Sequence, residues 1–188
     1  MVHVRLFISA VSTEFKSYRD LLRGYLQRPN VTVHVQEDFI AGGLPTLDKL
    51  DTYIRQCDAV IHIIGDMTGM MARRASVQLI AERYGDFADR MPELKAAFEG
   101  VLDVSYTQWE AYLAIYHRKE LLVAVPTRTA PREADTYIKS AEQEAAQQAH
   151  LKRLRQYERF PVTFTNGENL ALQLYRSTLY ELLTSPAF

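Results

Sequence analysis

Apolar residues along this chain switch between two spacings, and the switches mark its elements. Val4 to Ser9 is a short run of strand-forming residues. Phe15, Tyr18, Leu22 and Leu26 then recur at intervals of three and four, which predicts a helix with Ser12 at its cap. Pro29 and Asn30 end that helix, and Val31 to Val35 alternates apolar with polar residues as a second strand. A loop from Glu37 to Pro45 leads to a helix carrying Leu47, Leu50, Ile54 and Cys57 on one face, with Pro45 suited to its first turn. Ala59 to Ile64 is apolar almost throughout, as a strand covered on both faces requires. The next stretch is less regular, with short helices expected around Val77 to Tyr84 and Pro92 to Phe98, and residues from about 70 to 103 read as a helical insertion. Trp109, Tyr112, Leu113 and Tyr116 predict a further helix capped by Thr107, and Leu121 to Val125 a fourth strand that Pro126 stops.

Strands alternating with helices imply a parallel sheet wrapped on both faces. The expected fold class is therefore α/β, a flavodoxin-like sheet of about five strands flanked by helices. Residues 1–126 are expected to form this α/β domain, and residues 127–188 a C-terminal extension packed on it or leading away from it. The extension opens with a linker rich in Thr, Pro and Arg. It continues as a long helix over residues 134–157, whose apolar stripe is weak until Leu151, Leu154 and Tyr157, and a fifth strand over Phe160 to Phe164. Thr165 and Glu168 have the capping-box spacing that opens a last helix bearing Leu172, Tyr175, Leu179 and Leu182.

Composition narrows the function. The chain has 188 residues, 47% hydrophobic and 24% charged, an ordinary globular balance that excludes disordered and coiled-coil classes. Twenty-two Lys and Arg against 23 Asp and Glu leave a net charge of −1, which argues against a protein built to coat nucleic acid or an anionic membrane. Cys57 is the single cysteine, so no internal disulfide can form, and no apolar run is long enough to span a bilayer. The expected location is the cytoplasm.

In an open parallel sheet, ligands bind beyond the carboxyl ends of the strands. This rule selects Ser9 to Ser12, the Asp38 to Pro45 loop, Gly65 to Gly69, and the segment Ser105 to Glu110. No P-loop, no dinucleotide glycine fingerprint and no G-x-S-x-G elbow is present, and Gly42-Gly43 reads as turn chemistry. The five histidines show no metal-ligand spacing, so no metal or cofactor is expected, and His62 reads as a core residue. Lys152, Arg153 and Arg155 read as the solvated end of a helix. Glu110 stands beside Tyr106 and Trp109, which could wall a pocket. Its spacing from Thr107 is also that of a capping box, so the residues alone favour a structural role for it.

Four segments in this order resemble one family. Arg5 to Phe15 (RLFISAVSTEF), Val33 to Phe39 (VHVQEDF), Ile54 to Asp66 (IRQCDAVIHIIGD) and Ser105 to Pro126 (SYTQWEAYLAIYHRKELLVAVP) resemble the TIR (Toll/interleukin-1 receptor) superfamily. The likeness is to TIR-like domains at the N-termini of bacterial NLR-like signal-transduction ATPases and tetratricopeptide-repeat proteins. It implies that Glu110 is the catalytic carboxylate of an NAD glycohydrolase, possibly a cyclising one, that cleaves the nicotinamide–ribose bond on self-association in antiphage signalling. Ser9, Ala10, Val11, Phe39, Gly42, Gly43, Tyr106 and Trp109 are the implied substrate-binding residues, with NAD as substrate and no cofactor. The loop Phe39 to Pro45 would make assembly contacts, and sensor, ATPase or repeat domains would follow natively. Two departures accompany the likeness: the long insertion, and a segment before Glu110 that lacks the usual Ser-x-Trp-Cys form. The alternatives are a non-catalytic homotypic adaptor module and a nucleoside deoxyribosyltransferase-like enzyme.

Overall fold

The computed structural model describes residues 3–35 and 47–184. In chain order its elements are β1 (Val4–Ser9), α1 (Ser12–Leu26), β2 (Val31–Val35), α2 (Leu47–Gln56), β3 (Ala59–Ile63), α3 (Arg74–Arg83), α4 (Phe87–Arg90), α5 (Lys95–Phe98), α6 (Tyr106–Tyr116), β4 (Glu120–Pro126), α7 (Ala141–Gln156), β5 (Val162–Phe164), α8 (Gly167–Leu174) and α9 (Tyr180–Thr184). The five strands form one sheet in the order β2-β1-β3-β4-β5, and every pairing is parallel. This is the flavodoxin-like order, in which the direction of winding reverses between β1 and β3.

Alternation along each strand sends neighbouring residues to opposite faces. Phe7, Val60 and Val123 pack with α2, the short helices of the insertion, α6 and α7. Leu6, Ile8, Ile61 and Leu122 pack on the other face, under Phe15, Tyr18 and Leu22 of α1 and Leu170 and Leu174 of α8. The C-terminal extension is thus woven into the sheet, since β5 pairs with β4 through Ala124, Val125 and Pro126. No described helix is long and apolar enough to cross a membrane.

Several boundaries differ from the sequence reading, each for a local reason. Val11, not Ser12, occupies the cap of α1, and no side chain closes it. The long helix expected over residues 134–157 begins only at Ala141, because Ser140 caps it through the Gln143 N–H. At α8 the cap is Asn166 rather than Thr165. Asn166 accepts the N–H of Asn169, and the Asn169 side chain accepts the N–H of Thr165. The last helix does not continue in one line: a π-helical turn from Tyr175 to Leu179 contains non-helical backbone at Ser177. Leu172 is exposed, while Leu170, Leu174 and Leu179 are buried.

Candidate functional site

Helix α6 is the element on which the sequence argument turned, and its N-terminus is tied down from outside. Met71 and Ser105 form an isolated antiparallel bridge, and the Tyr106 N–H donates to the Met70 carbonyl at 2.9 Å. Ser105 is therefore the cap. Its hydroxyl accepts the Gln108 N–H while the Gln108 side chain accepts the Ser105 N–H, a complete capping box. The Thr107–Glu110 capping box expected from spacing does not form, because the helix starts two residues earlier than Thr107 as its cap would allow. Glu110 lies inside α6, 1% exposed.

The predicted substrate-binding residues fall into three groups. Ser9, Ala10 and Val11 are buried at the carboxyl end of β1. The Ser9 hydroxyl donates to the Thr107 carbonyl at 3.4 Å, and Val11 and Thr107 both lie close beside Gly69, so these segments meet. Tyr106 and Trp109 are core residues: the Tyr106 hydroxyl accepts the Arg73 N–H, and Trp109 is packed edge-on by Phe87, Phe98 and Tyr112. Neither ring offers a free face for a ligand in this conformation. Phe39, Gly42, Gly43 and the rest of the Phe39 to Pro45 loop lie outside the described residues.

Under Ser9 runs a buried polar chain that the sequence reading missed. Ser9 Oγ is 2.7 Å from His62 Nδ1, His62 Nε2 is 2.9 Å from His150 Nε2, and His150 Nδ1 is 2.7 Å from the Tyr112 hydroxyl, which accepts from Arg153 Nε at 2.8 Å. One set of directions satisfies every member. Arg153 donates to Tyr112, Tyr112 to His150 Nδ1, His150 Nε2–H to His62 Nε2, His62 Nδ1–H to Ser9, and Ser9 to the Thr107 carbonyl. The reverse direction leaves the Tyr112 hydroxyl proton without an acceptor. Both imidazoles are neutral in this arrangement. Burial drives the His62 pKa down to about 3 and His150 well below its ordinary value, with the neighbouring His62 and Arg153 adding to the effect on His150. Burial likewise pushes the Tyr112 hydroxyl up to about 12, so it stays a donor. Arg153, read from sequence as solvated, is half-buried and anchors this chain.

Between β1 and β3, where the winding reverses, the crevice is filled from within. Glu14, 0% exposed, lies in the first turn of α1 and sends its carboxylate across to the turn after β3. Its Oε1 accepts the Asp66 N–H at 2.9 Å and its Oε2 the Met67 N–H at 2.8 Å. Arg132 Nε donates to Oε1 at 2.7 Å. Gly65 is required for this approach, since a Cβ there would lie 2.1 Å from Glu14 Oε1. The segment carrying Arg132 straps the crevice: Tyr18 donates to the Pro131 carbonyl, Thr136 to the Thr13 carbonyl and Tyr137 to Asp66. Gln147 of α7 closes the inner side, donating to the Met67 carbonyl and accepting from Gln108.

Two cavities lie away from this crevice. One of about 70 Å³ touches Trp109, Arg74 and Val104 under the insertion. Another of about 240 Å³ lies at the amino-terminal edge of β4, lined by Glu120, Arg159, Phe160 and Thr178. Among the described residues no group of three or more His, Cys, Asp or Glu could hold a metal ion.

Comparison with known proteins gives a family-level match. The model of a domain of unknown function, DUF4062, rather than that of a TIR domain, matches residues 5–178. No curated protein matches. A solved structure, the 2-desoxiribosyltransferase from Leishmania mexicana, is similar at 18% identity over 68% of this chain and 67% of that one, with a TM-score of 0.39, and it assigns no role to any residue here.

Proposed function

This chain belongs to the DUF4062 family, a family of domains of unknown function, and we propose that it acts on the bond between a base and a ribosyl sugar, with Glu110 as the carboxylate supporting the reacting sugar. The observation that carries the reading is the state of Glu110: buried at 1% exposure inside α6, with the helix cap already supplied by Ser105 and Gln108. Buried titratable side chains at the ligand edge of a sheet are candidates for chemistry, and Glu110 is one that the helix cap does not use. Thr107, one helical turn before Glu110, accepts the Ser9 hydroxyl at the carboxyl edge of the sheet, where open α/β folds bind ligands.

The chemistry is economical. As the base departs it takes the electron pair of the C1′–N bond, and positive charge develops on C1′ and the ring oxygen. A carboxylate held near the sugar hydroxyls stabilises that charge, and water or a second base then bonds to C1′. A pyridinium base such as nicotinamide leaves as a neutral molecule, whereas an ordinary nucleobase also needs a proton. The burial of Tyr106 and Trp109 removes the aromatic faces that would single out a pyridinium, which supports the broader class over NAD alone.

The test is release of free base, by chromatography, from NAD and separately from deoxynucleosides, by wild type and Glu110→Gln. The expected result is release from one of the two substrate classes, falling by about 100-fold or more in the variant. Undiminished release in the variant, or none from either class by a folded wild-type chain, overturns the proposal.

A further inference from the structure

The group that Glu14 meets has the form of an oxyanion receptor. Two successive backbone N–H groups, of Asp66 and Met67, converge on one carboxylate, one to each oxygen, and a guanidinium that is only 12% exposed closes the third side. Successive amides that point into one concavity, backed by an arginine, are what proteins use to hold phosphate and carboxylate groups. The bare Gly65 beside them leaves the space that an incoming oxygen needs. Arg132 is itself positioned from several sides. It donates to the Ala130 carbonyl, lies over the rings of Phe15 and Tyr137, and stands 3.8 Å from Asp66.

The carboxylate in this receptor sits on a turn that is set off from the rest of α1 and tied to the strap by Thr136 at the Thr13 carbonyl and by the Glu133 N–H at the Glu14 carbonyl. Phe15, the next residue, has non-helical backbone angles (φ −135°, ψ 26°), so the turn carrying Glu14 is offset from the body of α1. Tyr18 and Leu22, buried further along α1, hold the rest of the helix to the sheet.

We propose that Asp66 N–H, Met67 N–H and Arg132 form a binding site for the phosphate or carboxylate group of a ligand, which Glu14 occupies in the resting chain and vacates when that group enters. The ligand's oxyanion takes over the three hydrogen bonds as the Glu14 side chain leaves them, and outward movement of the Val11 to Glu14 turn about Phe15 also parts the bonds of Thr136 to the Thr13 carbonyl and of Glu133 N–H to the Glu14 carbonyl. The site lies at the β1/β3 reversal, the position at which this fold class offers a crevice. The inference stands apart from the role of Glu110, since occupation of this site neither requires nor produces release of a base.

The test is a titration with inorganic phosphate, and in a second arm with acetate, read by the amide resonances of Asp66 and Met67 in the whole chain. In Glu14→Ala the receptor is empty, and phosphate is expected to shift both amides at a concentration about tenfold or more below that needed in wild type. Acetate acting as well as phosphate assigns the site to carboxylate ligands, and phosphate acting alone to phosphorylated ones. The double variant Glu14→Ala, Arg132→Ala is expected to lose the response by about tenfold. Glu14→Gln, which keeps the volume and removes the charge, is the companion variant and should respond as Glu14→Ala does, more weakly. Folded variants in which neither anion moves these two amides overturn the proposal. So does failure of both single variants to fold, because a carboxylate that the fold cannot release cannot be displaced.

Discussion

Acidification offers a direct test of the buried histidine pair. His62 and His150 are neutral in the fold, with His62 held down to about 3 by burial and His150 lowered in the same direction, while an unfolded histidine has its ordinary value of 6.5. Below pH 6.5 the unfolded chain therefore binds protons that the folded chain refuses. Stability is flat above that point and falls as pH drops beneath it. Each pH unit in this window costs about 1.4 kcal/mol per histidine, so between pH 6.5 and pH 5 each loses roughly 2 kcal/mol and the pair about 4. Both rings are fully buried, so no screening by solvent reduces this figure. Urea unfolding at pH 7 and pH 5 and constant ionic strength measures it, and the midpoint should fall by roughly 2 M for a slope near 2 kcal/mol/M. His150→Gln isolates the cause, because its amide can still donate to His62 and accept from Tyr112 but cannot titrate. Its loss between the two pH values should be about half that of wild type. An equal loss in both proteins, or no loss in wild type, would refute the neutral hydrogen-bond chain.

Two further outcomes follow from local geometry. Arg118 ends α6 with φ of 55°, a left-handed conformation that strains a side chain, so Arg118→Gly should raise unfolding stability by about 1 kcal/mol, measured by the same urea titration. Stability lowered by the change would show that the Arg118 side chain contributes more than its backbone costs. The Cys57 thiol is buried, and burial pushes its pKa up to about 11. A thiol reagent at pH 8 should therefore label it only as fast as the chain opens, with labelling rising sharply at the urea midpoint. Rapid labelling of the native chain would contradict its burial at the end of α2.

The sheet was legible because its strands are of kinds that a sequence displays. β1, β3 and β4 are mostly apolar, broken by Arg5, Ser9, His62 and Glu120, β2 alternates, and α1 keeps a clean stripe of three and four in Phe15, Tyr18 and Leu22. What stayed hidden was polar. In α7 the buried positions are Gln147, His150, Leu151 and Leu154, a single face whose upstream half is filled by hydrogen-bonding residues. A search for apolar periodicity sees that face only from Leu151 onward. Glu14 was hidden for the same reason, since a first-turn carboxylate reads as a polar surface until the strap that brings Arg132 to it is known. At α6 two overlapping capping spacings were available, Ser105 with Gln108 and Thr107 with Glu110. The contact that chose between them, Met71 to Ser105, spans more than thirty residues of sequence. Glu110 is singled out only by a resemblance to TIR domains, against a spacing that favours a structural role and apart from the family whose model matches, and its burial came only with the fold.

Helix α6 has almost no solvent side: ten of its eleven residues are buried, and the exception, Ile115, is partly so. A helix walled in all round cannot rock or unwind a turn without disturbing the sheet and the insertion together. On the proposed role of Glu110, motion that uncovers it belongs to the segments packed on the helix and involves many residues at once. Such collective rearrangements run on the microsecond to millisecond scale rather than the picoseconds to nanoseconds of a side-chain flip. On that same proposed role, base release answers to changes at Met70, Met71 and Gly69, which hold the start of α6 from outside, more than to changes along α6 itself.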